Sequence, residues 1–427
     1  MKRMRFKDIP SNSYFPEEKD TFPSVHRIIS DVKQEGDKAL KYFTYLLDKV
    51  RIEKFEVKKE EIQRSLKSIS SDLLSMINQS ISNLQSFGSE QIKSLQEFEK
   101  EIQPGVYAGQ KVIPIERIGI YVPGGRYPLF SSLLMAVIPA KIAGVKELIV
   151  CSPPDQKGNI HPMILAAAAV SGVERIFKVG GAQAIAAMAY GTFSIPKVDK
   201  IVGPGNAYVN AAKKIVYGDT AIDFLAGPTE ILIISDEHAN PDFIAADLAA
   251  QAEHDLTSCP IMLTNSMSQA DQVEYRLNAL LNDPKTNSTA VSSLQKNGHI
   301  IVVDNWDQAV EYANLRAPEH LALFLDNPDT VVPKLKNFGT LFIGEWSPEV
   351  LGDYCCGINH ILPTSQAARY TGGLSVRDFL KTQTTLRVDK KGFERMAPIA
   401  ACLAKAEGLT CHASSIEARQ SGLKAEG

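Results

Sequence analysis

The sequence predicts an α/β fold built on mainly parallel sheet. Three observations carry that prediction. Short apolar runs recur from about residue 117 onward, glycine-rich turns follow several of them, and segments with helical apolar periodicity come next. Parallel strands need such crossovers, because a tight hairpin can join only antiparallel neighbours.

The elements follow in order. Residues 24–100 read as helices. Val25, Ile28, Ile29 and Val32 share one face, as do Ile62, Leu66 and Ile69, then Leu73, Ile77, Ile81 and Leu84. From about 114 the pattern changes. "RIGIYV" (117–122) is a strand, followed by "PGG" and the helical run "SSLLMAVIPAKIAG". "ELIVCS" (147–152) leads into "HPMILAAAAVSGV", "RIFKV" (175–179) into "GGAQAIAAMAYG", and "KIV" (200–202) into "GPGNAYVNAAKKIV". A second α/β region begins near 229 with the strand "EILIIS", the helix "NPDFIAADLAAQAEH" and the strand "CPIMLT" (259–264). "HIIVV", "WDQAVEYANLR", "LALFL" and "GTLFIG" continue the alternation. After about 371 the chain reads as short helices around "FERMAPIAACLAKAEGL". A piece of that size buries too little surface to stand alone, so it must dock on something.

The bulk numbers bound the function. The chain has 427 residues, 44% hydrophobic and 22% charged, with a formal net charge of -3, which leaves room for two or three domains. A near-neutral balance argues against nucleic acid, whose phosphates call for a basic surface. The longest apolar stretch is cut by Pro139 and Lys141, and "MKRMRFKDIP" lacks a signal-peptide apolar region. No membrane partner and a cytoplasmic location are therefore expected. Six cysteines form no CxxC pair, so no disulfide framework is expected.

Three glycine turns follow strands in the first α/β region: Gly124-Gly125, Gly180-Gly181 and Gly203-Pro204-Gly205-Asn206. Such turns let backbone approach a ligand at a helix N-terminus, or serve folding alone. None is GxGxxG with an acid about twenty residues on, so the usual dinucleotide fingerprint is absent. Histidine is more telling. His254, His320, His360 and His412 lie in the dense polar settings "QAEHD", "APEHL", "GDYCCGINH" and "EGLTCH", whereas His26, His161, His238 and His299 do not and read as structural. Gln251 and His254 are three apart and share a helix face. Pro318 ends a helix and leaves Glu319 and His320 at a helix-to-strand loop. Asp353 and His360 flank a loop after a strand. Imidazoles, a carboxylate and an amide oxygen would make a zinc site with a position open for substrate. An imidazole beside a carboxylate suits proton transfer near neutral pH.

These motifs together resemble the histidinol dehydrogenase family, whose members use zinc and NAD. The resemblance runs from "VHRIISDVKQEGDKAL" (25–40) to "EGLTCH" (407–412), through "GIYVPGG", "VGGAQAIAA", "VDKIVGPGNAYV", "AGPTE", "DLAAQAEHD", "APEHL", "GDYCCGINHILPT" and "GLSVRDFLK". It implies oxidation of L-histidinol through L-histidinal to L-histidine, one zinc ion per subunit, and a homodimer with shared active sites. It implies zinc ligands at Gln251, His254, Asp353 and His412, and catalytic work at Glu319 and His320. Substrate contacts would fall on Thr229, His360 and Glu407 as well as on the metal and catalytic residues, and NAD contacts on Tyr121, Gln183 and Asn206. It also implies two intertwined, incomplete Rossmann-like domains. The expected division is a helical segment 1–100 packed on the second α/β domain, a first Rossmann-like domain 101–228, a second 229–370, and a helical tail 371–427. Two departures stand out. Thr229 occupies a position where serine is expected, and Cys355-Cys356 sits beside Asp353, with Cys411 next to His412. The residues leave three rivals: a related dehydrogenase acting on another alcohol or diol, a zinc hydrolase, which would leave the glycine turns idle, and a non-catalytic zinc protein, disfavoured because structural zinc sites are closed and usually cysteine-rich.

Overall fold

A computed structural model describes residues 1–9, 22–124, 127–283 and 286–425; Gly125 of the first glycine turn lies outside them. The chain forms two compact units, Met1–Gln91 with Ile115–Phe379, and Ile92–Pro114 with Leu380–Gly427. The described strands, in chain order, are β1 (Lys2–Arg5), β2 (Phe98–Gln103), β3 (Val106–Pro114), β4 (Arg117–Tyr121), β5 (Glu147–Ser152), β6 (Arg175–Lys178) and β7 (Lys200–Val202). There follow β8 (Ala221–Ile222), β9 (Glu230–Ser235), β10 (Cys259–Thr264), β11 (His299–Val302), β12 (His320–Phe324), β13 (Thr340–Ile343) and β14 (Leu380–Val388).

Two parallel sheets lie in the larger unit. The first runs β6-β5-β4-β7-β8 and the second β1-β11-β10-β9-β12-β13. Leaving out β1, each sheet starts in its middle, winds to one side and then crosses to the other. That reversal falls between β4 and β7 in the first sheet and between β9 and β12 in the second. In open α/β sheets the crevice at such a reversal is where ligands bind. All six residues of β9 are buried, as expected for a central strand covered on both faces.

The N-terminal helices depart from expectation. Phe22–Glu35 and Asp37–Phe43 pack on the helices Gly181–Tyr190 and Ala207–Val216 of the first sheet, not on the second region. Val25, Ile28, Ile29 and Val32 are buried in one apolar cluster with the alanine-rich helix Gly181–Tyr190, whose small side chains allow close approach. Among the described residues of this segment, β1 at the edge of the second sheet, Phe6 and Ile9 just after it, and the helix Ser71–Ile92 reach the second region. Asn83 of that helix donates to the carbonyl of Cys355 at 2.7 Å.

The smaller unit also differs. Residues 92–114 belong with the tail and not with the first Rossmann-like region, because β3 pairs antiparallel along its whole length with β14 and β2 covers its other edge. The tail is thus a strand followed by the helices Lys390–Ala406 and Thr410–Ala425, and residues up to Phe379 stay with the larger unit.

Candidate active site

The register of the second sheet assembles the core of the site. His320 pairs with Ile231, so the residues just before β12 and β9 lie side by side. Glu319 Oε2 is 2.5 Å from Thr229 Oγ1 and accepts from the Glu230 N–H at 3.0 Å. Glu319 is buried, and burial pushes its carboxyl up to about 8 against the opposing pull of those two hydrogen bonds. His320 opens β12, and its Nδ1 donates to the Glu230 carbonyl at 3.0 Å. With the proton on Nδ1, Nε2 carries the lone pair, and it is buried without a hydrogen-bond partner. Burial pushes the ring down to about 4, so the imidazole is neutral.

Gln251 lies in the last turn of the helix Pro241–Ala252 and is fully buried. Its Nε2 donates to Thr229 Oγ1 at 2.5 Å, and that hydroxyl donates in turn to Glu319, while Oε1 faces the Glu349 carboxyl. Acceptors facing one another in this way are reconciled by a cation between them or by a proton on Glu349. His254, two residues beyond the helix, comes round to the same place, for ligand atoms of His254, Glu349 and Asp353 lie within 4.8 Å of one another. Asp353 sits in the short helix Glu349–Tyr354, not in a loop. His360 donates from Nδ1 to the Asp353 carbonyl at 2.8 Å, and its Nε2 is 3.2 Å from Ser132 Oγ. Ser132 lies in the first turn of the helix Phe130–Ile142 that follows β4, so the carboxyl edge of the first sheet meets the site.

The donor set fits a cation of zinc's type. It offers an imidazole, carboxylates and an amide oxygen with no cysteine, and buried acceptors converge there without a basic side chain among them. The departures from the family pattern leave this arrangement intact. Thr229 keeps the hydroxyl that touches both Gln251 and Glu319, and Cys355, Cys356 and Cys411 are free thiols. A second cluster, Asp236, His238 and Asp326, is accounted for by turn capping: Asp236 accepts from the backbone N–H of His238, Ala239 and Asp326.

The three residues of the first region gather around its β4/β7 reversal. Tyr121 ends β4, and its hydroxyl accepts from the Gly181 N–H at 3.1 Å. Burial pushes that phenol up to about 12. Gln183, in the first turn of Gly181–Tyr190, faces Asp48 with Nε2 at 3.5 Å and has a buried Oε1 without a partner. Asn206 caps Ala207–Val216, accepting from the Tyr208 and Val209 N–H groups. Glu407 and His412 belong to the smaller unit, at the end of Lys390–Ala406 and in Thr410–Ala425, and both are exposed.

Sequence reasoning missed Glu349 and Ser132. Glu349 stands four residues before Asp353, a same-face spacing on a helix, but reading that stretch as a loop hid the signal. Ser132 sits in an otherwise apolar helix and gives no signal of its own.

A sequence profile of the histidinol dehydrogenase family matches residues 15–420. Histidinol dehydrogenase from Methanosarcina mazei is 43% identical over 404 residues, covering 94% of this chain and 92% of the relative. That from Oceanobacillus iheyensis is 44% identical over 396 residues, covering 93% and 92%. The crystal structure of histidinol dehydrogenase from Elizabethkingia anophelis matches with a TM-score of 0.92 and 38% identity, over 99% of both chains. With the site's geometry and these likenesses in agreement over nearly the whole length, the chain belongs to the histidinol dehydrogenase family.

Proposed function

We propose that this chain oxidises L-histidinol to L-histidine in two successive NAD-dependent steps, through bound L-histidinal, completing histidine biosynthesis as a cytoplasmic homodimer. The observation that carries the reading is the pair Glu319–His320: a neutral buried imidazole with an unpartnered Nε2 beside a carboxyl whose proton affinity lies near neutrality. The overall change removes four electrons from one alcohol carbon as two hydrides, and a water molecule supplies the second carboxylate oxygen.

Gln251, His254 and Asp353 would hold one zinc ion per subunit, together with the partner subunit's His412. When bound, the ion supplies a Lewis acid that grips the substrate and lowers the cost of removing its hydroxyl proton. Tyr121, Gln183 and Asn206 would hold NAD, the two-electron acceptor for each oxidation. His320 Nε2 takes the hydroxyl proton in the first oxidation. Glu319 takes a proton from the water that adds to the aldehyde, and His320 serves again in the oxidation of the hydrate. Thr229, His360 and the partner subunit's Glu407 contact the substrate. His360 already has both ring nitrogens engaged, which fixes its orientation. Enclosure of the site keeps the reactive amino-aldehyde from solvent.

The test compares turnover of L-histidinol with that of diols lacking an imidazole. Two NADH and one histidine per histidinol, with little turnover of the diols, are expected. Equal turnover of the diols would assign the site to another alcohol, and activity without NAD+ would favour the hydrolase.

A further inference from the structure

Glu230 meets both catalytic side chains through its backbone, and the reaction just described gives its own side chain no task. Its N–H donates to Glu319 Oε2, and its carbonyl accepts from His320 Nδ1, each at 3.0 Å. A shift of this one residue would therefore move the partners of both catalytic groups at once. The side chain that resists such a shift is held at both oxygens. Oε2 accepts from Arg316 Nε at 2.6 Å and lies equally close to a second guanidinium nitrogen, while Oε1 accepts from the Ser365 N–H at 3.3 Å. Glu230 and Arg316 are both buried.

Stability alone is a weak reason for such a pair. Two ions lose their hydration on burial, and apolar side chains of similar volume often serve a core as well or better. Burial pushes the Glu230 carboxyl up against the opposing pull of Arg316. The pair is nonetheless ionised, because a guanidinium keeps its proton and would otherwise lie buried without a counter-charge.

The position of the pair supplies a better reason. Arg316 ends the helix Trp306–Arg316, three residues before Glu319. The residue between helix and Pro318, Ala317, stands at φ +49°, a left-handed conformation that alanine keeps only where its surroundings enforce it. The segment from Arg316 to His320 is tied to β9 at both ends, by the guanidinium at one and by the pairing of His320 with Ile231 at the other. Between them the carbonyls of Pro318 and Glu319 accept from the N–H groups of Gly339 and Thr340. Arg316, Glu319 and His320 all bond to Glu230, so that residue sets how the segment lies on the strand.

We propose that Glu230 and Arg316 are positioning residues, whose buried ion pair fixes the two peptide groups that hold Glu319 and His320. This rests on the reading of Glu319 and His320 as the catalytic pair. The alternative is that the ion pair serves the stability of the fold and nothing else.

Two variants of the full-length, zinc-loaded enzyme separate these. Arg316→Met leaves Glu230 buried without its counter-charge. Arg316→Met combined with Glu230→Gln removes both charges and keeps an amide oxygen that can accept from Ser365. Melting temperature is measured for each, with histidinol and histidinal kinetics expressed per folded subunit. Arg316→Met should melt lower, and the double variant should regain most of that loss. In both, kcat should fall by up to about 10²-fold, the scale of a misplacement of about 1 Å, with the KM values for histidinol and NAD+ little changed. Both half-reactions should slow together, because one residue serves both catalytic groups. A double variant that regains kcat along with its melting temperature would make the pair structural and overturn the proposal, as would a loss confined to KM. If Arg316→Met does not fold, the double variant decides alone. A wild-type enzyme that leaves histidinol unoxidised would undo the reading of the site and this proposal with it. Wild-type turnover matched by the variants would undo the role of the ion pair alone.

Discussion

Glu319 and His320 are adjacent in the chain and equally enclosed, yet burial drives their proton affinities in opposite directions, up to about 8 and down to about 4. Low dielectric penalises the charged form of each, and the charged forms have opposite signs. The pair therefore offers a neutral base and a carboxyl that exchanges protons near neutrality, two tools for two half-reactions. Glu319→Gln should spare oxidation of histidinol relative to oxidation of histidinal, and His320→Asn should slow both, each by about 10²–10⁴-fold. Stopped-flow traces with each substrate separate the steps, and equal losses in Glu319→Gln would end this division of labour. Away from this pair, Asp48 has a carboxyl pushed up by burial from 3.8 to about 6. Its protonated form is the one the fold favours. That contribution is complete below about pH 4 and is lost as pH rises through about 6. Asp48→Asn stays neutral, so it should be more stable than wild type at about pH 8, by about 1 kcal/mol after solvent screening, and equal at about pH 4. Urea unfolding at the two pH values checks the sign. Cys355, Cys356 and Cys411 are not among the cation cluster, so Cys355→Ala, Cys356→Ala and Cys411→Ala should each retain zinc by elemental analysis.

Among the elements, the turn after β7 is the most tightly determined. Gly203 has φ +115°, and a Cβ there would come within 2.2 Å of the Tyr121 carbonyl oxygen. Its N–H donates to Asp223 Oδ2 at 2.8 Å and its carbonyl accepts from Lys213 Nζ at 3.1 Å, while Lys213 and Asp223 form a buried ion pair. The turn is thus fixed from both sides, three residues before Asn206. Gly203→Ala should destabilise the fold by about 1–3 kcal/mol and raise the KM for NAD+ more than that for histidinol. A KM shift confined to histidinol would remove the turn from the cofactor site. Such glycine turns, and the strands before them, were legible in the sequence because strands buried on both faces read as unbroken apolar runs. β14 was not, because "LKTQTTLRV" is mostly exposed, and an exposed two-faced strand carries no apolar alternation. β2, exposed along its whole length, escaped for the same reason. The liganding helix end at Gln251 was legible as chemistry, and the helix holding Asp353 was lost because six residues are too few to show a period.

At the scale of the whole molecule, the helices Phe22–Glu35 and Asp37–Phe43 were expected on the wrong sheet, since amphipathic faces show that a helix packs but not against what. The same limit applies to the tail, whose smaller unit carries Glu407 and His412 on exposed helices. Exposed apolar side chains accompany them: Ile399 is 53% exposed and Leu403 61%. Such a surface on small paired helices suits burial against another subunit.

If the tail serves the partner's site, function becomes separable between chains. Consider two inactive variants, His320→Asn and His412→Asn, mixed under conditions that exchange subunits. In a mixed dimer with crossed tails, one site collects both lesions and the other has none, because it combines the body of the His412→Asn chain with the tail of the His320→Asn chain. Random exchange puts about half of all dimers in the mixed form, each with one intact site of two. Roughly a quarter of wild-type activity should therefore return, provided the sites act independently. If each tail instead serves its own chain, every site keeps a lesion and mixing restores nothing. Differently tagged subunits verify the exchange, so a mixture that has exchanged and stays inactive would rule out the shared site while leaving the chemistry of Glu319 and His320 untouched.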